Sequence, residues 1–210
     1  MEWGAMLFLG AYHGVNPAMG WLFAVALGMQ QGSARGVWRA LPPLAMGHAI
    51  AVAVVLLGAG LARMVVPLGP LKAVLAAILV TFGIYRLLRH RHPRFGGMQV
   101  GFRDLSIWSF LMASAHGAGL MLVPFVMGMS QDVSATGEHL DHMGGSGAIM
   151  TSSVAVAFGL HTFSYFAVMT FVAWIVYTRF GVALLRTSWF NLDWLWAAAL
   201  VAAGAFIFFR

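Results

Sequence analysis

Four histidines stand within apolar stretches of this chain, and their order is the same in both halves. Each half has a His-Gly motif, then a second histidine after glycine or leucine, then an apolar run without histidine: Ala11–Gly14, Met46–His48 and Leu71–Leu88 in the first half, and Ser114–Gly117, Gly159–His161 and Trp194–Phe209 in the second. Imidazole is a common ligand of transition metals and of haem iron. The doubled pattern therefore predicts a transport or cofactor site between two related halves.

The positions of these histidines predict that their side chains face the inside of a helix bundle. His13 stands about ten residues into its apolar run, which corresponds to a depth of about 15 Å in a helix. Polar groups at that depth are costly unless they point away from lipid. Helical spacing adds Asn16 to the face of His13, and Met19 follows shortly after. The predicted site contains these residues and the other deep histidines: His13, Asn16, Met19, His48, His116 and His161.

The chemistry of this residue set favours a soft or borderline cation. The carboxylates fall in predicted connectors or at helix ends, so Mg²⁺ and Ca²⁺, which prefer oxygen ligands, are disfavoured. Imidazole and thioether suit nickel, cobalt, zinc and copper. Two alternatives stay open at this point: paired histidines that ligate haem iron, and histidines that only hydrogen-bond between helices.

A second candidate metal site lies in the long polar connector Gln131–Met150. His139, Asp141 and His142 stand close together there, between Glu138 and Met143. Short clusters of this kind bind zinc, copper or nickel. The sequence predicts metal capture on the outer side of the membrane, with a solvated loop as the alternative.

Composition places the chain among membrane proteins. It is 61% hydrophobic and 9% charged over 210 residues, which is too apolar for a soluble domain. Cysteine is absent, so disulfides, thiolate metal sites and thiol redox chemistry are excluded. The formal charge of +6 comes from basic residues confined to particular loops, so we expect no nucleic-acid partner.

The predicted fold class is all-α: a polytopic membrane protein with six transmembrane helices. A membrane-crossing helix needs about 20 apolar residues. Six segments meet that requirement, at residues 3–30, 41–62, 69–88, 105–130, 150–178 and 190–209.

Basic residues predict the orientation of these segments. The connectors at Gln31–Arg39, Arg86–Arg103 and Arg179–Ser188 hold nine of the twelve Lys and Arg residues. The positive-inside rule places these connectors in the cytoplasm and both termini on the other side of the cell (inner) membrane. Three spans per half then make the halves inverted repeats, residues 1–103 and 104–210, within one membrane domain.

Helix-breaking residues accompany the first histidine of each half. Gly14 and Pro17 flank His13, while Gly117 and Gly119 follow His116. Broken helices leave backbone groups unpaired, which is tolerated only in protein interior or beside a wet cavity. The pattern predicts broken helices at the site, with a simple proline kink as the alternative.

Two short motifs resemble the nickel/cobalt transporter family. They are H-G-V-N-P-A-M at His13–Met19 and A-M-G-H-A-I-A-V at Ala45–Val52. His13, Pro17 and His48 match the family's motifs, whereas Met19 stands where the family has its second histidine. The three-plus-three plan with broken first helices resembles the wider lysine-exporter superfamily, which carries metals, amino acids and electrons.

The sequence thus predicts a membrane transporter of a transition-metal cation with a His-lined midplane site. The alternative is a His-ligated metal- or haem-binding membrane subunit of a larger enzyme complex. Transport is preferred over enzyme activity because no Ser/His/Asp or paired-carboxylate arrangement specifies a reaction. The expected partners are membrane lipid, the metal ion, and either further copies of the chain or partner membrane subunits.

Overall fold

The protein is helical throughout the part of the chain that its structure describes. The computed structural model describes residues 2–65, 67–88, 101–126 and 145–180, together with residues 198, 200–202, 204 and 205. Its α-helices are α1 (Glu2–Val15), α2 (Trp21–Gln30), α3 (Ala34–Val65), α4 (Leu68–Leu88), α5 (Phe102–Ala115), α6 (Ala118–Val126) and α7 (Gly145–Ile175). The all-α class predicted from the apolar composition is confirmed for these residues.

Two of the described helices are long and apolar enough to cross a membrane. These are Ala34–Ala62 within α3, and Ser152–Phe180, where α7 continues into a π-helical turn at Val176–Phe180. The helices α5 and α6 meet at a bend of 56° and form a third crossing if they act as one broken span. The apolar helices α2 and α4 are shorter.

Helix α3 begins at Ala34, earlier than the predicted start near Leu41. Pro42 and Pro43 lie inside it, although each proline removes an amide donor from the helix. Val37 and Leu41 on this first part of the helix are 1% exposed. Burial of this apolar face outweighs the local cost of the prolines, so the helix continues through them.

The first helix of each half packs against the second helix of the other half. Helix α1 lies along α7, where the Ser164 hydroxyl donates to the Leu7 carbonyl over 2.7 Å. Helix α5 lies along α3, where the Ser109 hydroxyl donates to the Leu44 carbonyl over 2.6 Å. A hydroxyl bonded to a main-chain carbonyl joins helices closely in an apolar setting.

The third apolar runs of the two halves also meet. Gly204 lies against Leu79 and Val80 of α4. Leu200 is 1% exposed and lies beside Gly117, at the end of α5. The described residues of the last apolar run therefore contact both α4 and the bend between α5 and α6.

The helix breaks predicted beside His13 and His116 are confirmed. The first break holds a 3₁₀ turn at Pro17–Met19, which the Asn16 side chain caps by accepting from the Ala18 amide over 2.9 Å. At the second break, Gly117 has φ of 68°. That left-handed conformation is costly for residues with a Cβ atom, which explains the glycine that follows the C-cap of α5.

Candidate functional site

Three histidines from three helices meet in the interior of the protein. His13 of α1, His48 of α3 and His161 of α7 are each 0% exposed. The ring centroids of His13 and His48 are 5.4 Å apart, those of His13 and His161 are 5.0 Å apart, and those of His48 and His161 are 5.5 Å apart. We call these three residues the histidine cluster.

The closest nitrogen atoms in the cluster belong to His48 and His161. Their Nε2 atoms are 3.3 Å apart, in a buried contact between residues far apart in sequence. Two nitrogen ligands on one tetrahedral ion, at bond lengths of about 2.0–2.1 Å, are also about 3.3 Å apart. The spacing suits either a hydrogen bond between the two rings or joint ligation of one ion.

A backbone hydrogen bond fixes which nitrogen of His13 carries the proton. Its Nδ1 atom donates to the Leu9 carbonyl over 2.6 Å, which places the ring's lone pair on Nε2. His116 makes the corresponding bond in the second half, from Nδ1 to the Met112 carbonyl over 2.8 Å. Metal-binding histidines typically donate their second ring nitrogen in this way.

His116 ends α5 and is 1% exposed. All four predicted histidines are therefore buried, and three of them are in mutual ring contact.

Asn16 and Met19 lie at the first break and contribute to it in ways that the sequence did not predict. Asn16 is 3% exposed, and its side-chain oxygen caps the 3₁₀ turn. Met19 is 2% exposed, and its main-chain carbonyl accepts a hydrogen bond from the Tyr165 hydroxyl. Both residues thus shape the break beside His13.

Tyr165 is a site residue that the predicted set did not include. It is 0% exposed, and its ring stacks on His48 with a centroid distance of 3.8 Å and an interplanar angle of 14°. Its hydroxyl donates to the Met19 carbonyl over 2.6 Å. Its position four residues after His161, on the same helical face, was the signal available in the sequence.

Some polar atoms of the site are buried without a hydrogen bond from the described residues. These atoms are Nδ1 of His48 and Nδ2 of Asn16. Such groups are costly in protein interiors and call for an explanation such as a ligand, an ion or a change of conformation. Within the described ranges, however, no three His, Cys, Asp or Glu side chains are grouped so as to hold a metal ion.

The two acidic residues of the described part stand at the starts of their helices, at the opposite ends from His13 and His116. Only Glu2 and Asp104 carry a carboxyl group in that part of the chain. Glu2 begins α1, at the opposite end from His13, and Asp104 accepts from the Gly101 amide at the start of α5. Within the described part, the donors available to a ligand are therefore neutral.

The second predicted metal site falls in a segment that the structure does not describe. His139, Asp141 and His142 lie outside the described residues. Metal capture by this connector stays a prediction.

Comparisons of the chain with protein-family models, with curated proteins and with solved structures give no match.

Proposed function

We propose that this chain is a multi-pass membrane transporter of a soft or borderline transition-metal cation, with the histidine cluster and His116 on the transport path. The observation that carries the proposal is the meeting of three fully buried imidazoles from three helices. Polar side chains inside an apolar bundle are expensive, and in membrane proteins they mark ion and substrate paths.

The donor set supports a transition metal over a hard cation. Imidazole nitrogen suits nickel, cobalt, zinc and copper, whereas Mg²⁺ and Ca²⁺ need several oxygen ligands. The described rings contact one another without forming a closed three-ligand group. Two close nitrogens with a third imidazole beside them suit a site that must also release its ion.

The packing of the helices supports inverted repeats. If the halves are exchanged, the pair of α1 with α7 becomes the pair of α5 with α3, and both pairs are present. The two breaks correspond as well, since each follows the first histidine of its half. We propose six spans as two inverted three-helix repeats, an architecture with sites near the bilayer midplane at the repeat interface.

The positions of basic residues support the proposed orientation. Arg35 and Arg39 lie in the first turns of α3, and Arg179 lies just after α7. The ring contact of Trp38 with Trp174, at 5.6 Å between centroids, places the start of α3 beside the end of α7. These arginines thus share one end of the bundle, which we assign to the cytoplasmic side of the inner membrane.

Large apolar side chains on the outside of the bundle support a lipid environment. Phe163 and Phe171 of α7 are 68% and 64% exposed, and Phe8 of α1 is 69% exposed. Single exposed apolar residues are ordinary, but large ones repeated along α7, a helix of membrane-crossing length, suit contact with acyl chains.

The geometry favours an ion over haem at the closest pair. Axial haem ligands lie on opposite sides of the iron, with the porphyrin between them. The Nε2 atoms of His48 and His161 are 3.3 Å apart and face each other directly. That spacing suits two ligands on the same side of a small ion.

Uptake into vesicles tests the proposed function. Purified protein is reconstituted into liposomes that hold a metal-sensitive dye, and Ni²⁺, Co²⁺, Zn²⁺, copper, Mg²⁺ and Ca²⁺ are added outside in turn. We expect protein-dependent entry of at least one transition metal and no entry of Mg²⁺ or Ca²⁺. Fluxes equal to those of protein-free liposomes for every transition metal would refute transport.

Cysteine labelling tests the six-span orientation, because the chain contains no cysteine of its own. We expect Arg35→Cys and Arg179→Cys to react with an impermeant thiol reagent from the cytoplasmic side. Leu140→Cys, in the long polar connector, should react from the opposite side. Labelling of positions 35 and 140 from the same side would show that the topology is wrong.

A further inference from the structure

Tyr165 of α7 contacts two other parts of the protein at the histidine cluster, namely α3 and the turn after α1. It belongs to α7, its ring stacks on His48 of α3 at 3.8 Å, and its hydroxyl bonds to the carbonyl of Met19 in the 3₁₀ turn at 2.6 Å. The two contacts lie at different ends of one rigid side chain. A movement of His48 or of the Met19 carbonyl therefore displaces the tyrosine side chain and alters its other contact.

The hydroxyl bond cannot be explained by packing alone. Phenylalanine would fill the same volume and stack equally well on an imidazole. A buried tyrosine hydroxyl needs a partner, and here the partner is a main-chain carbonyl at the point where the first membrane helix is interrupted. Carbonyls at such breaks are the groups that a conformational change can release or satisfy.

We propose that Tyr165 is a positioning residue that couples the state of His48 to the conformation of the break at Pro17–Met19. This inference rests on the proposed function. When an ion binds at His48, the imidazole ring reorients, and the stacked phenol must follow it. The change alters the bond to Met19 and with it the 3₁₀ turn. Binding of the ion is thereby transmitted to the turn that joins α1 to α2.

Substitutions at Tyr165 are expected to affect the maximal rate of transport and the affinity for the ion differently. Tyr165→Phe keeps the stack on His48 and removes the hydroxyl, and with it the bond to Met19 and the contact with the Ser109 hydroxyl of α5. We expect the KM for uptake to stay unchanged, while the maximal rate falls by about threefold to tenfold, the range for a lost buried hydrogen bond. Tyr165→Leu also removes the stack and should raise KM as well. Tyr85→Phe removes a hydroxyl from a half-exposed tyrosine on α4 and serves as the matched control.

A labelling experiment follows the break itself. Ala18→Cys places a thiol in the 3₁₀ turn of this cysteine-free chain. Without metal, adding Tyr165→Phe should raise the labelling rate by about threefold to tenfold, because the turn loses its bond to α7. Adding Co²⁺ or Ni²⁺ should change the labelling rate in the presence of Tyr165 and leave it unchanged in Tyr165→Phe.

The outcomes distinguish this inference from the proposed function. Equal labelling rates with tyrosine and phenylalanine at position 165 would overturn the coupling, whatever the uptake assays show. If Tyr165→Phe lowered the affinity for the ion as much as the maximal rate of uptake, the coupling would also be overturned, since the hydroxyl would then act at the ion site. If the chain with Tyr165 moves no metal, the proposed function fails, while metal-free labelling still decides whether Tyr165 holds the turn.

Discussion

Replacement of His48 or His161 by alanine is expected to lower metal affinity by at least about a hundredfold and to abolish uptake. Loss of an outer partner of a metal ligand already costs about 10–100-fold in affinity, and these two residues supply the closest nitrogen pair of the site, 3.3 Å apart. Metal binding to purified protein by calorimetry and uptake into liposomes measure the two effects separately.

The matched variants show whether the effect belongs to the site. His92→Ala removes a histidine from the arginine-rich connector and should leave binding and uptake unchanged. His13→Ala and His116→Ala should both reduce uptake. Gel filtration in detergent checks that each variant is still folded. Equal uptake by the unaltered chain and by His13→Ala or His116→Ala would contradict the proposed path.

The features that sequence could predict are those with a local cause. Pro17 and Gly117 interrupt helices through their own backbone chemistry, so both breaks could be placed without knowledge of the fold. The apolar runs likewise predict helices, because a backbone in an apolar medium must satisfy its own hydrogen bonds. Both expectations hold in the described residues.

The features that sequence could not predict depend on contacts between distant residues. The ring contact of His48 with His161 joins positions more than a hundred residues apart. The early start of α3 also depends on such contacts, since packing of Val37 and Leu41 overcomes the prolines. The sequence of one helix does not show which other helix will pack against its apolar face.

The roles of Asn16 and Met19 show the same limit. Asn16 was predicted as a ligand from its helical spacing to His13, and Met19 from its place just after Pro17; ligation by either residue stays a prediction. In the structure the Asn16 oxygen caps a turn, and Met19 offers its main-chain carbonyl to Tyr165. Spacing along a helix gives a shared face only while the helix continues, and the break after Val15 ends that relation.

Replacement of Gly10 or Gly14 by alanine is expected to destabilise the protein by roughly 1–3 kcal/mol, the cost of overpacking a tight contact. Both glycines lie where α1 crosses α7. A Cβ atom at Gly10 would meet the main-chain oxygen of His161, and one at Gly14 would lie 2.7 Å from the main-chain oxygen of Tyr165. Backbone atoms cannot turn aside as a flexible side chain can, so the two helices must separate.

This separation would also act on the site, because His13 stands between the two glycines and its ring is 5.0 Å from that of His161. We therefore expect metal affinity to fall together with stability, measured by thermal unfolding in detergent. Gly4→Ala is the matched control on the same helix, since nothing lies within 4 Å of a Cβ atom there. Alanine should stabilise that turn by about 0.5–1 kcal/mol. If Gly10→Ala and Gly4→Ala were equally stable, α1 could not approach α7 so closely, and the histidine cluster could not form as described.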